Sequence, residues 1–330
     1  MGITDLMQTR TFGRLGTVSA LTLGGGGIGG VWGRTQHSEA VETVGMAIDS
    51  GITMLDLAPT YGTKHEAEVV AGEALRGRSA AEVMITTKAE LPDDEPGDLA
   101  DQMASSLRAS MARLGRSYID LFLLHSQLRP ADESATAPRT LGWQRYRDEV
   151  LPTFLRLRDD GLIRAWGITG VGYPSAVADA LQVEPRPDAA QIVVNALDLT
   201  GDMWIFGDTA LPANEELLQI AAAASVPVVA IRAVAAGALT DQLDRRVDPS
   251  HPVAGGFERA KAFRRLAADL GESAASLAHR YALSIPGVAT VVLGVKNRTE
   301  LADCLAAEAR GRLTEQELQA VLKLRQADAA

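Results

Sequence analysis

Short apolar stretches rich in valine, isoleucine and leucine alternate along this chain with longer stretches whose apolar residues recur at helical spacing. Parallel strands need a long crossover connection, usually a helix, so the alternation indicates a parallel sheet covered by helices. Eight strands are predicted, at about residues 20–23, 52–55, 83–87, 119–124, 163–168, 190–194, 226–231 and 289–294. Eight helices follow them in turn, at about residues 38–50, 65–76, 98–114, 145–160, 174–182, 214–223, 273–283 and 298–308. The sequence therefore predicts an α/β fold of the (β/α)8 TIM-barrel class.

Two further elements are predicted outside the eight repeated units. Residues 10–13 and 17–19 are expected to form a short N-terminal hairpin that closes the bottom of the barrel, and residues 314–325 an extra C-terminal helix. No low-complexity linker or shift in composition marks a domain boundary. Barrels of this class often exceed about 250 residues, so residues 1–330 are expected to form a single domain.

The composition narrows the classes of partner. The formal net charge is −10 and the pI about 5.1, so the chain lacks the basic surface that binding to a nucleic-acid backbone requires. Nucleic acid is therefore not an expected partner. Cys304 is the single cysteine, which rules out an intrachain disulfide and a cysteine metal cluster, and no metal site is predicted. Nothing in the sequence specifies an oligomeric state.

Neither a secretion signal nor a membrane span is predicted. The first ten residues are polar, which favours a cytoplasmic location. The longest apolar stretch, residues 220–239, would be long enough for a span, but it contains Pro227, Arg232 and Gly237. Because a charge in the middle of a bilayer is costly, a helix end, a turn and a short strand fit this stretch better.

The glycine run GGGIGG at residues 25–30 admits a second interpretation of the fold. It satisfies the pattern GxGxxG after a strand, and Asp56 ends the next strand, as in an open dinucleotide-binding sheet. In that motif a helix begins within the glycines so that its amino end meets the pyrophosphate, whereas here residues 32–37 intervene before the next predicted helix. We therefore favour the barrel and expect the glycines to form a close-packed backbone under a flat ligand.

Polar residues stand at the carboxyl ends of three consecutive predicted strands. Asp56 ends the first, with Tyr61 in the loop beyond it, Lys88 ends the second, and His125 follows the third. Since the carboxyl ends of barrel strands form the active face, these side chains are expected to share one pocket. Singly, each has an ordinary explanation, such as a turn cap, a loop pair, a solvated lysine or a core histidine. Together they favour a catalytic site.

These four residues suit the protonation of an oxygen. A tyrosine, with a pKa near ~10, donates poorly at neutral pH unless a cation such as Lys88 stabilises the phenolate. Asp56 can balance the charge of that lysine and hold it in place. His125 can donate a hydrogen bond to a substrate oxygen or share in proton transfer. The natural reaction is hydride transfer to a carbonyl carbon, with the hydride from a nicotinamide because no side chain can supply one.

Several longer motifs resemble the aldo-keto reductase family, and they cover nearly the whole chain. They are RTFG at residues 10–13, GITMLDLAPTYG at 51–62, YIDLFLLH at 118–125 and DGLIRAWGI at 160–168. The resemblance implies a β/α barrel that binds NADP(H) in an extended form across its mouth, with NAD(H) as the alternative. It also implies Tyr61 as general acid, Lys88 and Asp56 as the groups that tune it, and His125 as the group that orients the carbonyl.

The same resemblance implies a set of cofactor-binding residues. They are Gly25, Thr169, Gln191, Asn195, Ile231, Arg232, Gly237, Gly294, Lys296, Arg298 and Cys304. Gln191 and Asn195 are expected beside the nicotinamide, and Lys296 or Arg298 would suit a 2′-phosphate. Arg232 is expected either to reach a cofactor phosphate or to pair with an acidic neighbour.

Several positions on the cofactor side depart from the family's pattern. Thr169 and Gly170 stand where Ser-Asn usually holds the carboxamide, and Ile231 stands where an aromatic ring usually stacks on the nicotinamide. Glu300 lies near a position where a cationic or neutral residue is common, and Cys304 replaces a usual asparagine. These departures leave weaker cofactor binding open and reduce the expected preference for NADP(H).

The substrate is constrained only to a broad class. Four aromatic residues fall in loops predicted at the active face, where they would form either an apolar or sugar-stacking pocket or the packing of a lid: Trp32, Trp143, Trp204 and Phe206. The favoured function is an NAD(P)H-dependent oxidoreductase that interconverts an alcohol and a small-molecule carbonyl compound, namely an aldehyde, a ketone or a sugar. The alternative is a cofactor-binding sensor or partner-binding barrel with little catalysis, suggested by Gly170, Ile231 and Cys304.

Overall fold

The structure is a computed structural model that describes residues 7–92, 97–130, 139–207 and 209–329. Its strands are β1 (Thr9–Thr11), β2 (Thr17–Ser19), β3 (Leu21–Gly24), β4 (Met54–Asp56), β5 (Met84–Ala89), β6 (Ile119–Leu124), β7 (Gln127–Arg129), β8 (Thr140–Gly142), β9 (Ile163–Thr169), β10 (Ala189–Val193), β11 (Val228–Ile231) and β12 (Val288–Leu293). Its helices are α1 (Gly25–Ile28), α2 (His37–Asp49), α3 (Glu66–Ala74), α4 (Leu99–Leu114), α5 (Trp143–Arg145), α6 (Leu151–Asp159), α7 (Pro174–Gln182), α8 (Asn214–Ala223), α9 (Pro252–Arg259), α10 (Lys261–Asp269), α11 (Ala274–Ser284), α12 (Arg298–Ala309) and α13 (Glu315–Ala329). A π-helical turn, Tyr146–Val150, joins α5 to α6.

Eight of the strands close into a parallel barrel. Their order is β3-β4-β5-β6-β9-β10-β11-β12, and β12 pairs with β3 to complete the ring. Each barrel strand coincides, within a few residues, with one of the eight predicted from the sequence, so the predicted (β/α)8 fold is confirmed. Because the sheet is closed, the open dinucleotide-binding sheet that the glycine run could have indicated is excluded.

The N-terminal hairpin closes the amino end of the barrel, as predicted. Strands β1 and β2 pair antiparallel. Phe12, Leu15 and Val18 are buried there and form one apolar cluster with Met54 and Leu121 from the barrel strands. Apolar side chains thus fill this end, and ligands reach the barrel from the carboxyl ends of its strands.

Helix α4, which follows β5, shows how the sequence sets the outer layer. The Asp98 carboxylate accepts hydrogen bonds from the amides of Ala100 and Asp101 at 2.8 and 3.1 Å, which caps the helix amino end. Leu99, Met103, Leu107, Ser110 and Leu114 recur at three- and four-residue spacing and are all buried. Gly115 then ends the helix in the left-handed region, with φ 63°. The extra C-terminal helix is present as α13, and none of the described helices is long and apolar enough to cross a membrane.

Some local elements differ from the prediction. Helix α1 lies within the glycine run, where no helix was predicted. Glycine lets this turn pack tightly, since a Cβ on Gly27 would lie 2.0 Å from the Val295 carbonyl oxygen. Within the run, Gly27 and Gly29 therefore pack against the protein's own backbone, whereas Gly25 and Gly26 pack against side chains. Strands β7 and β8 were also not predicted, because such three-residue strands depend on pairing with each other. Three helices lie between β11 and β12, and the first two of them, α9 and α10, were also not predicted.

Candidate active site

Strand register brings Asp56 and Lys88 together. Asp56 lies opposite Thr86 in the β4–β5 ladder and Lys88 lies two residues beyond Thr86, so both side chains are on the same face of the sheet. The Lys88 Nζ lies 2.9 Å from Asp56 Oδ1 and donates a hydrogen bond to the Leu57 carbonyl oxygen at 2.8 Å. The two side chains are only 0% and 4% exposed. Each of these buried charges therefore depends on the other.

Tyr61 lies directly above this ion pair. Its hydroxyl group is 3.2 Å from Lys88 Nζ, and its ring centroid is 4.7 Å from the same atom. The loop that follows β4 fixes the tyrosine, since the Tyr61 amide donates to the Ala58 carbonyl oxygen at 3.1 Å. A Cβ on Gly25 would lie 3.1 Å from the tyrosine ring, so glycine at this position leaves room for the ring.

His125 faces the tyrosine at the end of β6. The two rings meet edge to face, with centroids 5.7 Å apart and an interplanar angle of 84°. The His125 amide donates to the Ala89 carbonyl oxygen at 2.7 Å, which extends the β5–β6 ladder by one residue. Burial, and then the charges of Lys88 and Arg139, lower the pKa of His125 to about 3. The imidazole is therefore neutral near pH 7 and can donate one N–H to a ligand.

The tyrosine and the lysine are both protonated near neutral pH. Burial raises the pKa of Tyr61, and the nearby Lys88 charge offsets that effect only in part. Burial by itself lowers the pKa of Lys88, but the Asp56 carboxylate and then Tyr61 outweigh it, so the pKa is raised. From the sequence we expected the lysine to lower the tyrosine pKa. It acts in that direction, but Asp56 balances its charge and desolvation of the phenolate prevails.

A cavity of about 590 Å³ opens above these residues at the carboxyl ends of the strands. Small-molecule and cofactor sites typically fall between ~300 and 1,000 Å³. Asp56, Tyr61 and His125 line one part of it, with Lys88 buried beneath. The cavity continues past the end of β11 to the first turns of α12. The predicted residues that line it are Gly25, Trp32, Thr169, Gln191, Ile231, Arg232, Gly237, Gly294 and Cys304.

Thr169 and Gln191 line the cavity beside Asp56. The Gln191 Nε2 donates to Asp56 Oδ1 at 2.8 Å, and the Gly170 amide donates to the Gln191 carbonyl oxygen at 2.6 Å. The Thr169 hydroxyl is buried and has no hydrogen-bond partner in the part of the chain that the structure describes. Because a buried polar group without a partner is costly, this hydroxyl fits a polar ligand group such as a carboxamide.

Arg232 lies over the middle of the cavity in an uncommon backbone conformation, with φ 61°. Its guanidinium pairs with Asp202, so the acidic neighbour is the partner found for this residue. The guanidinium carbon also lies 5.4 Å from the Trp32 ring centroid, and that of Arg245 lies 5.7 Å from it. The Trp32 ring at the cavity wall thus makes cation–π contacts with two arginines. Arg232 Nη1 is buried without a hydrogen-bond partner among the described residues.

Three predicted cofactor residues do not line the cavity. Asn195 folds back on its own loop, donating to the Leu199 carbonyl oxygen at 2.9 Å and accepting from the Leu199 amide at 2.8 Å. Lys296 is held by Asp244, and Arg298 by carboxylates on α2. Both cations therefore have partners within the protein.

Three of the four predicted pocket aromatics also lie outside the cavity lining. Trp143 packs on Tyr146, with ring centroids 5.4 Å apart. Trp204 and Phe206 pack on each other, also at 5.4 Å, and the Trp204 Nε1 donates to the Gly207 carbonyl oxygen at 3.0 Å. Their contacts are with the surrounding loops, whereas Trp32 lies on the cavity wall.

The cavity lining includes residues that the sequence did not single out. They are in loops and helices after β10, β11 and β12: Asp202, Met203, Asp244, Arg245, His279 and Asp303. Their one sequence signal is their place after a predicted strand, where barrel loops gather at the active face. No group of three His, Cys, Asp or Glu side chains is arranged to hold a metal ion within the described ranges.

Comparisons with known proteins agree with the fold. A model of the Aldo/keto reductase family matches residues 20–326. The uncharacterized oxidoreductase YqkF of Bacillus subtilis is 28% identical over 324 residues, which cover 93% of this chain and 94% of that protein. The NADH-specific methylglyoxal reductase of Escherichia coli is 28% identical over 172 residues, 47% of this chain and 49% of that protein. The holo structure of aldo-keto reductase AKR11C1 from Bacillus halodurans superposes with a TM-score of 0.72 at 22% identity, covering 96% of each chain. The chain belongs to the aldo-keto reductase family.

Proposed function

We propose that this protein interconverts a small-molecule carbonyl compound and the corresponding alcohol, with Tyr61 as the general acid and base and a nicotinamide dinucleotide as the hydride carrier. The contact between the Tyr61 hydroxyl and Lys88 Nζ, 3.2 Å long at the base of the cavity, carries the proposal. Membership of an oxidoreductase family supports it.

The proton is delivered by Tyr61. As a carbonyl carbon is reduced, its oxygen gains negative charge, and a protonated tyrosine beside it supplies the proton. Lys88 stabilises the phenolate that remains, because its ammonium group is close and shielded from water. Asp56 keeps that lysine charged and in place. A general acid of this kind contributes ~10²–10⁴ in rate, and the phenolate takes the proton back when an alcohol is oxidised.

His125 orients the substrate. Its ring stands edge to face with Tyr61, so one polar group on each can contact the same substrate oxygen. Its lowered pKa keeps it neutral, so it donates a hydrogen bond without competing with Tyr61 as the proton source. The Trp32 ring on the cavity wall suits contact with a small aldehyde, ketone or sugar, and the name of the methylglyoxal reductase among the relatives is consistent with a small carbonyl substrate.

The rest of the cavity fits the cofactor. In this proposal Thr169 and Gln191 hold the carboxamide of the nicotinamide, since one has a free buried hydroxyl and both line the cavity beside Asp56. Gly25 and Gly294 offer backbone without side chains on the opposite wall. The bound group supplies the hydride, which no side chain can supply. The expectation of NADP(H) from the sequence rests on the family resemblance, with Lys296 or Arg298 as a partner for a 2′-phosphate.

A panel of aldehydes, ketones and sugars, each assayed with NADH and with NADPH, tests the proposal. We expect oxidation of a dinucleotide that depends on one or more of the carbonyl compounds, and reduction of the oxidised dinucleotide by the matching alcohol. Tight dinucleotide binding without turnover in either direction on any compound would contradict catalysis and favour a sensor or partner-binding barrel.

A further inference from the structure

The part of the cavity that borders helix α12 is acidic. We call it the α12 end, and its charged lining residues are Asp244, Arg245, Glu300 and Asp303. Three carboxylates and one guanidinium leave an excess of negative charge there. If the nicotinamide lies beside Tyr61, as in the proposed function, an extended dinucleotide runs along the cavity and brings its second nucleoside to the α12 end. The charges at the α12 end therefore act on the adenosine half of the cofactor.

Lys296 is the nearest further cation, and it is already neutralised. Its Nζ contacts Asp244 and lies 3.6 Å from Glu300 Oε1. The lysine side chain is 16% exposed, so this pair is shielded from water more than an ordinary surface pair. A phosphate group would have to displace a carboxylate to reach this ammonium.

Arg298 is directed to the outside of the barrel. Its guanidinium pairs with Glu39 at 2.9 Å and with Glu42 at 2.6 Å, both on α2, and it is not part of the cavity lining. The Arg298 amide also donates to Glu39 at 3.0 Å. Two carboxylates thus fix this arginine at the α2–α12 junction.

Glu300 occupies the amino end of α12, where an anion would otherwise bind. Its carboxylate accepts hydrogen bonds from the Lys296 amide at 2.9 Å and from Asn297 Nδ2 at 3.0 Å, while Asn297 Oδ1 caps the Glu300 amide at 2.9 Å. This reciprocal arrangement is a variant of the capping box in which the Glu300 carboxylate accepts from the amide one residue before the N-cap. Free amide groups and a positive helix end usually favour a phosphate. Here a fixed carboxylate of the chain takes that place.

We propose that the α12 end selects NAD(H) over NADP(H), with Glu300 as the residue that rejects the 2′-phosphate. The inference rests on the proposed function, and it reverses the cofactor preference expected from the sequence. A 2′-phosphate carries close to two negative charges and would meet Glu300, whereas a 2′-hydroxyl can donate a hydrogen bond to the same carboxylate. Like charges in a partly buried site repel strongly because water screens them poorly.

Calorimetric titration of the purified protein with NADH and with NADPH tests the inference without an activity readout. We expect the wild-type protein to bind NADH about tenfold more tightly than NADPH, or better. Glu300→Gln removes the charge and can still accept the hydrogen bond from the Lys296 amide through its one carbonyl oxygen, so it should raise affinity for NADPH and leave affinity for NADH nearly unchanged. Glu216→Gln is the matched control, because it makes the same change in net charge at an exposed position of α8 outside the cavity lining and should leave the ratio of the two affinities unaltered.

Each outcome decides between the two proposals. NADPH binding as tight as NADH binding in the wild type, or an affinity ratio that Glu300→Gln does not change, would overturn the selection by Glu300 while the proposed function stands. Failure to bind either dinucleotide would overturn the proposed function and, with it, this inference.

Discussion

Lys88 holds its ammonium group 2.9 Å from the Asp56 carboxylate, and both side chains are buried. Such a pair costs desolvation energy when it forms, and removing one partner leaves an uncompensated charge in the protein interior. The pair positions the Lys88 ammonium group, which also contacts the Tyr61 hydroxyl. The pair links the stability of the barrel to the chemistry at its mouth.

Lys88→Met should therefore lower the free energy of unfolding by about 3–5 kcal/mol, measured by urea denaturation, since it leaves Asp56 buried and unpaired. The matched control is Lys261→Met, which breaks an exposed ion pair with Glu258. The side chains of Lys261 and Glu258 are 62% and 65% exposed. That change should leave the free energy of unfolding nearly unchanged, because exposed ion pairs are screened by water. Equal losses in the two variants would show that the buried pair has no special role.

His125 should make the protein less stable as the pH falls below 7. Its folded pKa of about 3 lies below the ordinary value of 6.5, so the unfolded chain binds more protons between those values and stability declines through that window. Between pH 7 and pH 5 the wild type should lose about 2 kcal/mol more than His125→Asn, from the proton uptake of the unfolded state. His279, whose pKa burial lowers to about 4, is present in both proteins, so the difference isolates His125. Parallel pH profiles for the two proteins would contradict a buried neutral His125.

Close packing of the glycine run predicts opposite effects for two alanine substitutions. A Cβ on Gly27 would lie 2.0 Å from the Val295 carbonyl oxygen, and backbone must move to accept it, so Gly27→Ala should destabilise by about 1–3 kcal/mol or more. Gly255, within helix α9, has nothing within 4 Å of an added Cβ. Gly255→Ala should therefore stabilise by about 0.5–1 kcal/mol. Thermal unfolding of both variants checks the pair, and a stable Gly27→Ala protein would show that the contact yields freely.

The barrel and the polar groups at its strand ends could be predicted from the sequence, because both follow from the periodic spacing of apolar residues. Asp56, Lys88 and His125 were predicted at three strand ends, and consecutive parallel strands necessarily bring such ends to one face. Tyr61 followed from its place in the next loop. Local patterns of this kind need no knowledge of distant partners.

Contacts between residues far apart in the chain could not be predicted from the sequence. Lys296 and Asp244 are 52 residues apart, and Arg232 and Asp202 are 30 apart, so no local pattern shows that these charges are paired. The rise in the Tyr61 pKa likewise depends on burial, whose effect on that pKa exceeds the opposite effect of the Lys88 charge. The cofactor side was therefore harder to predict than the catalytic side, because it is built from loops and their mutual contacts.

Single-turnover reduction of a carbonyl substrate by Tyr61→Phe tests the central claim most directly. Tyr146→Phe, at a buried tyrosine outside the cavity lining, is the matched control for loss of a hydroxyl group. We predict that Tyr61→Phe slows the chemical step by ~10²–10⁴ while dinucleotide affinity is retained, and that Tyr146→Phe turns over at the wild-type rate. A Tyr61→Phe protein that reduces the substrate as fast as the wild type would contradict the role of Tyr61 as the proton donor.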